Sequence, residues 1–287
     1  MQINFKRLTL DDKSFIDGIL KDSDKRFCEY TFGNMFCWGN RYDMKIALTQ
    51  NGFITGSTDK RRFNFPAGKD AMKIVSELEN MYDSFTLTSL SKDEAMLFEG
   101  KEGYTVTETP ERFDYIYESE KLRLLKGKKL ASKRNHINAF LSDGEYSTEP
   151  ITMQNIPYLY DFNTKWCQGL CESDSSLLSE MCAVRLGLEN FERLGFSGLI
   201  LYKNKRICAY SYGEPINNDT FCVHVEKADS LVRGAYQMIN REFANAYCEN
   251  FAYINREDDA GDEGLAKAKR SYYPTEIGTK FKVEYKK

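Results

Sequence analysis

The sequence lacks several features that define common classes of protein. No apolar run approaches the length of a membrane span, and residues Met1 to Arg7 carry no apolar core of a secretion signal. Six prolines in 287 residues, together with 14% aromatic residues, are typical of a well-packed globular protein. The net charge of -3 argues against a protein that binds polyanions through its overall charge. We therefore expect a cytoplasmic protein, with any nucleic-acid contact confined to a local patch.

Metal-binding cysteine motifs are also missing. The eight cysteines include no Cys-x-x-Cys pair, and histidine occurs only twice in the chain. Cys167 and Cys171 are four residues apart, a spacing that places two side chains on one face of a helix, but no histidine lies near them. We interpret the cysteines as free thiols, and the sequence gives no firm indication of a metal or other resident cofactor.

The second half of the chain contains a regular order of apolar segments. Alternating and β-branched residues predict strands at 196–202, 206–213, 220–226, 252–255 and 280–285. Helical spacing predicts one helix that begins near Gly234 and another around 265–272, before Pro274. The predicted order is a hairpin, a third strand, a helix, a strand, a helix and a last strand.

The first half repeats this order as a pattern of elements. Strands are predicted at 45–48, 53–55, 62–65, 85–88, 104–107 and 113–117, and helices at 9–20, at 69–82 and after a capping box of Ser91 and Glu94. We therefore predict an α/β (α+β) protein of two similar lobes. The expected divisions are an N-terminal lobe at 1–120, a basic connecting helix at 121–150 and a C-terminal lobe at 151–287 that carries the site.

Two ionisable residues lie within the apolar strand at 220–226. Period-two spacing predicts that His224 and Glu226 share one face of that strand. Either could act as the general base for an attacking amine, and Glu226 is the first candidate. The alternative is a purely structural, hydrogen-bonded pair.

A helix is predicted to begin shortly after this strand, at Arg233 and Gly234. The first N–H groups of a helix are unpaired and its dipole is positive there, so the junction could bind a donor phosphate. Gly234 would let that ligand approach closely. The alternative is that both residues only start the helix.

A cluster of polar residues follows the strand at 252–255. Asn255, Glu257, Asp258 and Asp259 could bind the ammonium group of an acceptor, because carboxylates at the end of a strand can converge on one ligand. Capping of the next helix is the alternative. Three carboxylates would also suit Mg²⁺ or Ca²⁺.

A basic stretch lies between the two predicted lobes. Residues 121–136 read KLRLLKGKKLASKRNH, and within them Lys129, Lys133 and Arg134 flank an apolar helical stripe. These side chains could contact the phosphates of a tRNA acceptor stem, a cofactor or a lipid headgroup. The alternative is a solvated helical face.

Four segments together resemble one known family. They are RFDYIYESEKLRLLKGKKLASKRNHINAF at 112–140, VHVEKA at 223–228, INREDDAGDEGLAKAK at 254–269 and KRSYYP at 269–274. Over nearly the whole chain the sequence is similar to the phosphatidylglycerol lysyltransferase C-terminal-domain family, in its soluble, stand-alone branch of unknown function. The resemblance implies two tandem GNAT-like lobes, each a mixed, mostly antiparallel sheet flanked by helices, and a relation to Fem-type aminoacyltransferases.

The resemblance also implies a reaction and one more site residue. Relatives of this kind move an aminoacyl group from aminoacyl-tRNA to an amine or a lipid hydroxyl, and a late lysine in a K-x-x-F-x-P pattern contacts the donor phosphate or the developing oxyanion. Lys269 matches that lysine as a catalytic candidate, with Tyr272 in place of the phenylalanine. Residues 232–235 keep only part of the acetyl-CoA loop pattern R/Q-x-x-G-x-G/A.

Three functions remain as hypotheses. The first is transfer of an aminoacyl group from aminoacyl-tRNA, bound without sequence readout, to an amine or hydroxyl of a small molecule or lipid headgroup. The second is acyl-CoA-dependent N-acylation of a small amine. The third is a non-catalytic binding module for an amino acid, a nucleotide or a peptidoglycan precursor.

Overall fold

A computed structural model describes residues 2–39, 41–168 and 175–287 of the chain. These residues form two mixed sheets flanked by helices, which confirms the predicted α/β (α+β) class. We call the part built on the first sheet the first lobe and the part built on the second sheet the second lobe. No helix within these ranges has the length and apolar character that a membrane crossing requires.

The first lobe contains eight strands and four α-helices among the described residues. Its strands are β1 (Lys6–Arg7), β2 (Lys45–Leu48), β3 (Gly52–Ser57), β4 (Arg62–Asn64), β5 (Ala67–Gly68), β6 (Ser84–Leu90), β7 (Tyr104–Glu108) and the C-terminal β15 (Phe281–Lys286). Its helices are α1 (Lys13–Leu20), α2 (Phe32–Gly39), α3 (Ala71–Met81) and α4 (Lys92–Met96). The sheet order is β1-β2-β3-β4-β6-β15-β7, and β5 pairs with β3.

The second lobe contains the other seven strands. They are β8 (Asp114–Glu118), β9 (Tyr146–Pro150), β10 (Ser197–Lys203), β11 (Arg206–Pro215), β12 (Thr220–Ala228), β13 (Tyr253–Asn255) and β14 (Glu276–Gly278), in the order β14-β8-β13-β12-β11-β10-β9. Its helices are α5 (Ser119–Leu124), α6 (Ala131–Ser142), α7 (Ile156–Gln168), α8 (Ser175–Glu189), α9 (Phe191–Leu194), α10 (Ala235–Tyr247) and α11 (Glu263–Arg270).

The two sheets have the same succession of strands. In each sheet four strands run antiparallel, the fourth pairs in parallel with the fifth, and two antiparallel strands complete the order. A helix joins each parallel pair: α3 lies between β4 and β6, and α10 lies between β12 and β13. This shared topology confirms the tandem arrangement of two similar lobes.

The sixth strand of each sheet comes from the part of the chain that was predicted to form the other lobe. Strand β15, at the C-terminal end, lies in the first sheet, whereas β8, which precedes residue 120, lies in the second. Helix α6, in the predicted connecting segment, packs on α10 of the second lobe. The residue pattern along the sequence predicts that a strand forms, but it does not encode which distant strands become its two neighbours.

Buried contacts join the two lobes where the exchanged strands begin. Lys280, which precedes β15, is 1% exposed, and its Nζ lies 2.8 Å from Asp114 Oδ1 and 2.7 Å from Glu29 Oε2. An apolar cluster around them includes Ile16 of the first lobe and Tyr210 of the second. A buried charge is stable only with partners of this kind, so the two lobes are held in contact at this point.

Candidate functional site

A β-bulge lies in the strand that carries His224. In the pairing of β11 with β12, Tyr212 is opposite Val225 and Gly213 is opposite Val223, so His224 is an extra residue on β12. The bulge breaks the alternation of side chains, because period two holds only along an uninterrupted pleat. The prediction that His224 and Glu226 share one face is therefore wrong.

His224 lies between two carboxylates. Its Nδ1 is 2.7 Å from Glu257 Oε1, and its Nε2 is 3.0 Å from Glu214 Oε1. Burial alone would lower the pKa of His224, but the contact with Cys222 and the hydrogen bonds to Glu214 and Glu257 raise it well above its ordinary value. Burial raises the pKa of the Cys222 thiol to about 12, so this thiol is neutral and the two carboxylates supply the stabilising charge. The imidazolium form is thus favoured at neutral pH.

Glu226 lies on the other side of the sheet and already has two partners. Its Oε1 accepts from Arg256 Nη2 at 2.8 Å, and its Oε2 accepts from Asn240 Nδ2 of α10 at 2.8 Å. The guanidinium of Arg256 also lies 5.0 Å from the ring centroid of Tyr272. Both oxygens of Glu226 are therefore engaged, which favours the structural alternative for this residue over a general base.

Lys269 points into the loop that follows β13. Its ammonium donates to the backbone carbonyl oxygens of Arg256 (2.6 Å), Glu257 (3.3 Å) and Asp258. The side chain is 7% exposed, and burial together with the nearby Arg256 lowers its pKa. The structure thus places Lys269 beside the predicted acceptor residues, with its ammonium turned toward the backbone.

The loop itself holds Glu257 in an unusual conformation. Glu257 has φ of 59°, in the left-handed region that costs a residue with a side chain about 1–2 kcal/mol. Its N–H donates to Asn255 Oδ1 at 2.6 Å, and Asn255 Nδ2 in turn donates to Asp114 Oδ2 at 2.7 Å. Asn255 is fully buried, so it supports the loop from below and is not open to a ligand.

The predicted acid cluster separates into engaged and accessible carboxylates. Asp259 Oδ2 accepts from the Tyr115 hydroxyl at 2.6 Å, while Asp258 and Glu257 remain 18% and 24% exposed. Burial raises the pKa of Asp258, against the opposing charges of Lys280 and Arg112. The next helix, α11, is capped by Asp262, whose Oδ1 accepts from Leu265 N at 2.6 Å. Helix capping therefore does not explain Glu257, Asp258 or Asp259.

The glycine at the start of α10 is explained by packing within the protein. Gly234 has φ of 83°, and a Cβ there would lie 2.2 Å from the carbonyl oxygen of His136 in α6. Close approach at Gly234 is real, but α6 is the group that approaches. Arg233 beside it is exposed.

The basic helix α6 borders the site. Lys133 Nζ donates to Ser271 Oγ at 2.6 Å and lies 4.1 Å from the ring centroid of Tyr272, directly after α11. Lys129 Nζ lies 5.4 Å from the ring centroid of Tyr273. Arg134 instead donates to the carbonyl oxygens of Leu125 and Gly127, which makes it a support for the turn before α6.

Two groups of side chains among the described residues bring possible metal-donor atoms together, but each already contains or surrounds a cation of the protein, the His224 imidazolium in one and the Lys280 ammonium in the other. One is Cys222, His224 and Glu257, whose donor atoms lie within 4.8 Å of one another. The other is Cys28, Glu29 and Asp114, which already surrounds the ammonium of Lys280. The spacing of Cys167 and Cys171 falls outside the residues whose side chains the structure describes.

Sequence reasoning missed two members of the site. Glu214 lies 3% exposed near the end of β11, where it accepts from Gly33 N at 2.6 Å and lines a cavity of about 390 Å³ between the lobes. Arg256 directly follows β13 and pairs with Glu226. In each case a charged residue inside or next to an apolar strand was the available signal.

Two solved structures share this fold. L-PGS from Bacillus licheniformis has a TM-score of 0.65 at 14% identity, covering 96% of this chain and 92% of that chain. FemX has a TM-score of 0.58 at 7% identity, covering 99% of this chain and 97% of that chain. These likenesses concern the fold, in which two lobes of the same topology follow one another in a single chain.

The family is established over most of the chain. Residues 21–284 match the family described as phosphatidylglycerol lysyltransferase, C-terminal, and the chain belongs to it. A conserved protein of unknown function from Bacteroides thetaiotaomicron VPI-5482 is 37% identical, with a TM-score of 0.95 over 99% of this chain and 100% of that chain. An uncharacterized protein of Mycoplasmoides gallisepticum is 27% identical over 173 residues, 60% of this chain and 56% of that protein, so the match spans little more than half of this relative.

Proposed function

We propose that the protein transfers an aminoacyl group from aminoacyl-tRNA to an amine or hydroxyl acceptor, at the end of β13 in the second lobe. The observation that carries the proposal is the contact between the basic helix and the site. Lys133 of α6 meets Ser271 and Tyr272, two and three residues after Lys269, whose ammonium holds the loop of Glu257. These contacts support the proposal, because the lysines that we propose for the donor phosphate lie near the carboxylates that we propose for the acceptor.

The donor would be held by charge. Lys129 and Lys133 lie over the rings of Tyr273 and Tyr272, directly after α11. The exposed Arg270 at the end of α11 lines an open depression together with Asp259 and Tyr273. Lysine and arginine side chains bind phosphates without reading sequence, which suits a donor recognised by its acceptor stem.

The acceptor would bind at the accessible carboxylates. Glu257, Asp258 and Asp259 are all partly exposed, but Asp259 already accepts from the Tyr115 hydroxyl, so we assign a primary ammonium group, the complementary charge, to Glu257 and Asp258. Asn255 and Asp259 contribute by holding the loop, through hydrogen bonds to Glu257 N and from the Tyr115 hydroxyl.

The reaction forms a C–N bond and breaks the ester C–O bond to the tRNA ribose. In the proposed mechanism Glu257 accepts the proton that the attacking amine loses and then gives it to the departing ribose oxygen, while the His224 imidazolium lies 2.7 Å from Glu257 Oε1 and holds that carboxylate in place. Glu214 holds the second ring nitrogen of His224 throughout. For an α-amine of pKa about 8, deprotonation at pH 7 costs only about 1.4 kcal/mol, whereas alignment supplies roughly 7–11 kcal/mol. Placement therefore matters more than base strength.

One observation disfavours acyl-CoA as the donor. The junction at Gly234, which would have to admit a pyrophosphate, is packed against the carbonyl oxygen of His136. Helix α6 thus covers the start of α10, where the partial acetyl-CoA loop pattern lies.

Binding of purified protein to mixed aminoacyl-tRNA, uncharged tRNA and acetyl-CoA, at two salt concentrations, tests the proposal. We expect salt-sensitive binding of aminoacyl-tRNA, weakened in the double variant Lys129→Ala/Lys133→Ala. The salt slope of that variant should fall by about 0.7–0.9 for each phosphate that it no longer neutralises. Lys60→Ala, an exposed lysine of the first lobe, is the matched control. Binding of acetyl-CoA alone would support the second hypothesis, and binding of none of the three would support a non-catalytic module.

A further inference from the structure

We infer that Lys269 is a positioning residue, which fixes the loop at 256–258 so that the carboxylate of Glu257 meets His224. Lys269 thus has a role within the protein in place of the expected contact with donor phosphate or oxyanion. The effect of Lys269 on turnover rests on the proposed function, whereas its effect on the geometry of the loop does not.

The hydrogen-bond capacity of Lys269 supports this role. An ammonium group has three N–H donors, and three consecutive carbonyl oxygens, those of Arg256, Glu257 and Asp258, lie around Nζ of Lys269. Since all three donors have acceptors and the side chain is 7% exposed, none remains for an incoming oxyanion.

The loop needs a support at this place. Three successive carbonyl oxygens that point to one spot repel one another unless a cation lies between them. The left-handed Glu257 is the residue that turns the middle carbonyl toward Lys269, while its N–H is held by Asn255 Oδ1. Asn255 therefore holds the N–H of Glu257, and Lys269 holds its carbonyl oxygen.

Glu257 connects the ammonium of Lys269 to the imidazole ring of His224. The Glu257 carbonyl accepts from Lys269 at 3.3 Å, and the Glu257 carboxylate lies 2.7 Å from His224 Nδ1. On the far side, the Tyr117 hydroxyl donates to the Lys269 carbonyl at 2.7 Å and anchors the end of α11. Displacement of the loop would thus separate Glu257 from His224, while Glu214 would still contact the other ring nitrogen.

Histidine-ring NMR tests the inference without any substrate, because the chain contains only His136 and His224. Lys269→Met keeps the apolar stem and removes the ammonium. We expect the His224 signals to shift and its titration midpoint to move down toward the ordinary value of about 6.5. The charged or titratable groups that face His224 are Cys222, Glu214, Glu257 and, from α2, Cys37. Lys267→Met, an exposed lysine on the same helix, is the control and should change neither signal.

A double-mutant cycle identifies Glu257 as the intermediary. If Lys269 acts through Glu257, then Lys269→Met should move the His224 titration midpoint in the wild type but should not move it further when it is added to Glu257→Gln. A folded Lys269→Met with unchanged His224 signals would overturn the inference. If Lys269→Met does not fold, Lys269→Gln, which keeps an amide donor, should show the same shift in smaller size. Failure of tRNA binding with a positive NMR result would refute the proposed donor and leave the positioning role intact.

Discussion

The parallel strand pairs of the two lobes have the same topology but different contents at their carboxyl ends. In the first lobe the hydroxyl of Tyr30 lies 2.9 Å from the carbonyl oxygen of Phe65, after β4, and 3.1 Å from that of Ser89, near the end of β6. In the second lobe the corresponding end, after β13, holds Arg256 and Glu257. An aromatic side chain closes the first pair, and charged side chains occupy the second.

The charged residues near the first pair are also arranged differently. Lys25 pairs with Glu94, and its ammonium lies 4.3 Å from the ring centroid of Tyr30 and 4.9 Å from that of Phe65. The ammonium of Lys25 is therefore already paired with a carboxylate and packed against two aromatic rings. The repeated fold thus supplies an opening between two parallel strands in each lobe. The residues that follow those strands determine whether the opening contains groups able to catalyse a reaction.

The largest expected effect is on turnover, and it should distinguish Glu257, in the loop after β13, from Glu226 of β12. Glu257→Gln should lower turnover in an aminoacyl-transfer assay by about 10²–10⁴-fold, because it removes the proposed base. Glu226→Gln should lower the melting temperature through the loss of charge opposite Arg256, with turnover of the folded fraction changed much less. Steady-state kinetics and thermal unfolding of both variants measure the difference. Equal loss of turnover in the two folded variants would restore Glu226 as a candidate base.

The second expected effect concerns the aromatic closure of the first lobe. Tyr30→Phe removes the hydroxyl that faces two buried carbonyl oxygens, so the free energy of unfolding should fall by about 1–3 kcal/mol. Turnover per folded molecule should be unchanged, since Tyr30 lies in the lobe without the site. Urea unfolding measures the loss. Tyr202→Phe, whose hydroxyl contacts the exposed Glu149, is the control, with an expected change within about 0.5 kcal/mol. A loss of turnover in Tyr30→Phe would show that the first lobe takes part in the reaction.

The elements on both sides of this comparison were largely predictable from the sequence. The strand at 45–48 has the predicted bounds, and the capping box of Ser91 and Glu94 is present at the start of α4. Alternation and capping are local properties, so the residues that create them are also the residues that form the element. Helix α8 packs against both α2 and α7, so its apolar residues need not form a single stripe, and no element was predicted there.

The geometry of the site depended on contacts that residue types do not encode. The bulge at His224 adds one residue to β12 without changing the apolar pattern that predicted the strand. Lys269 binds backbone carbonyl oxygens, which every residue possesses, so nothing in its neighbours' identity signalled the contact. At Gly234 the sequence signalled a close approach, and only the packing of α6 shows what approaches. The partners of β8 and β15 were unpredictable for the same reason, since both are distant in sequence.

The smallest expected effect is the pH dependence of stability that histidine in the second lobe contributes. Both histidines, His136 and His224, lie in that lobe, and the pKa of His224 is raised by its carboxylate partners despite its burial. The folded protein therefore holds this proton more tightly than the unfolded chain, whose histidine pKa is about 6.5. The resulting stabilisation is complete below about pH 6.5 and is lost as the pH rises through the native pKa, at about 1.4 kcal/mol for each unit of difference. Urea unfolding between pH 6 and pH 9 should show this decline in the wild type and in His136→Gln, and a smaller decline in His224→Gln. An identical decline in His224→Gln would mean that His224 is not the group whose proton stabilises the fold.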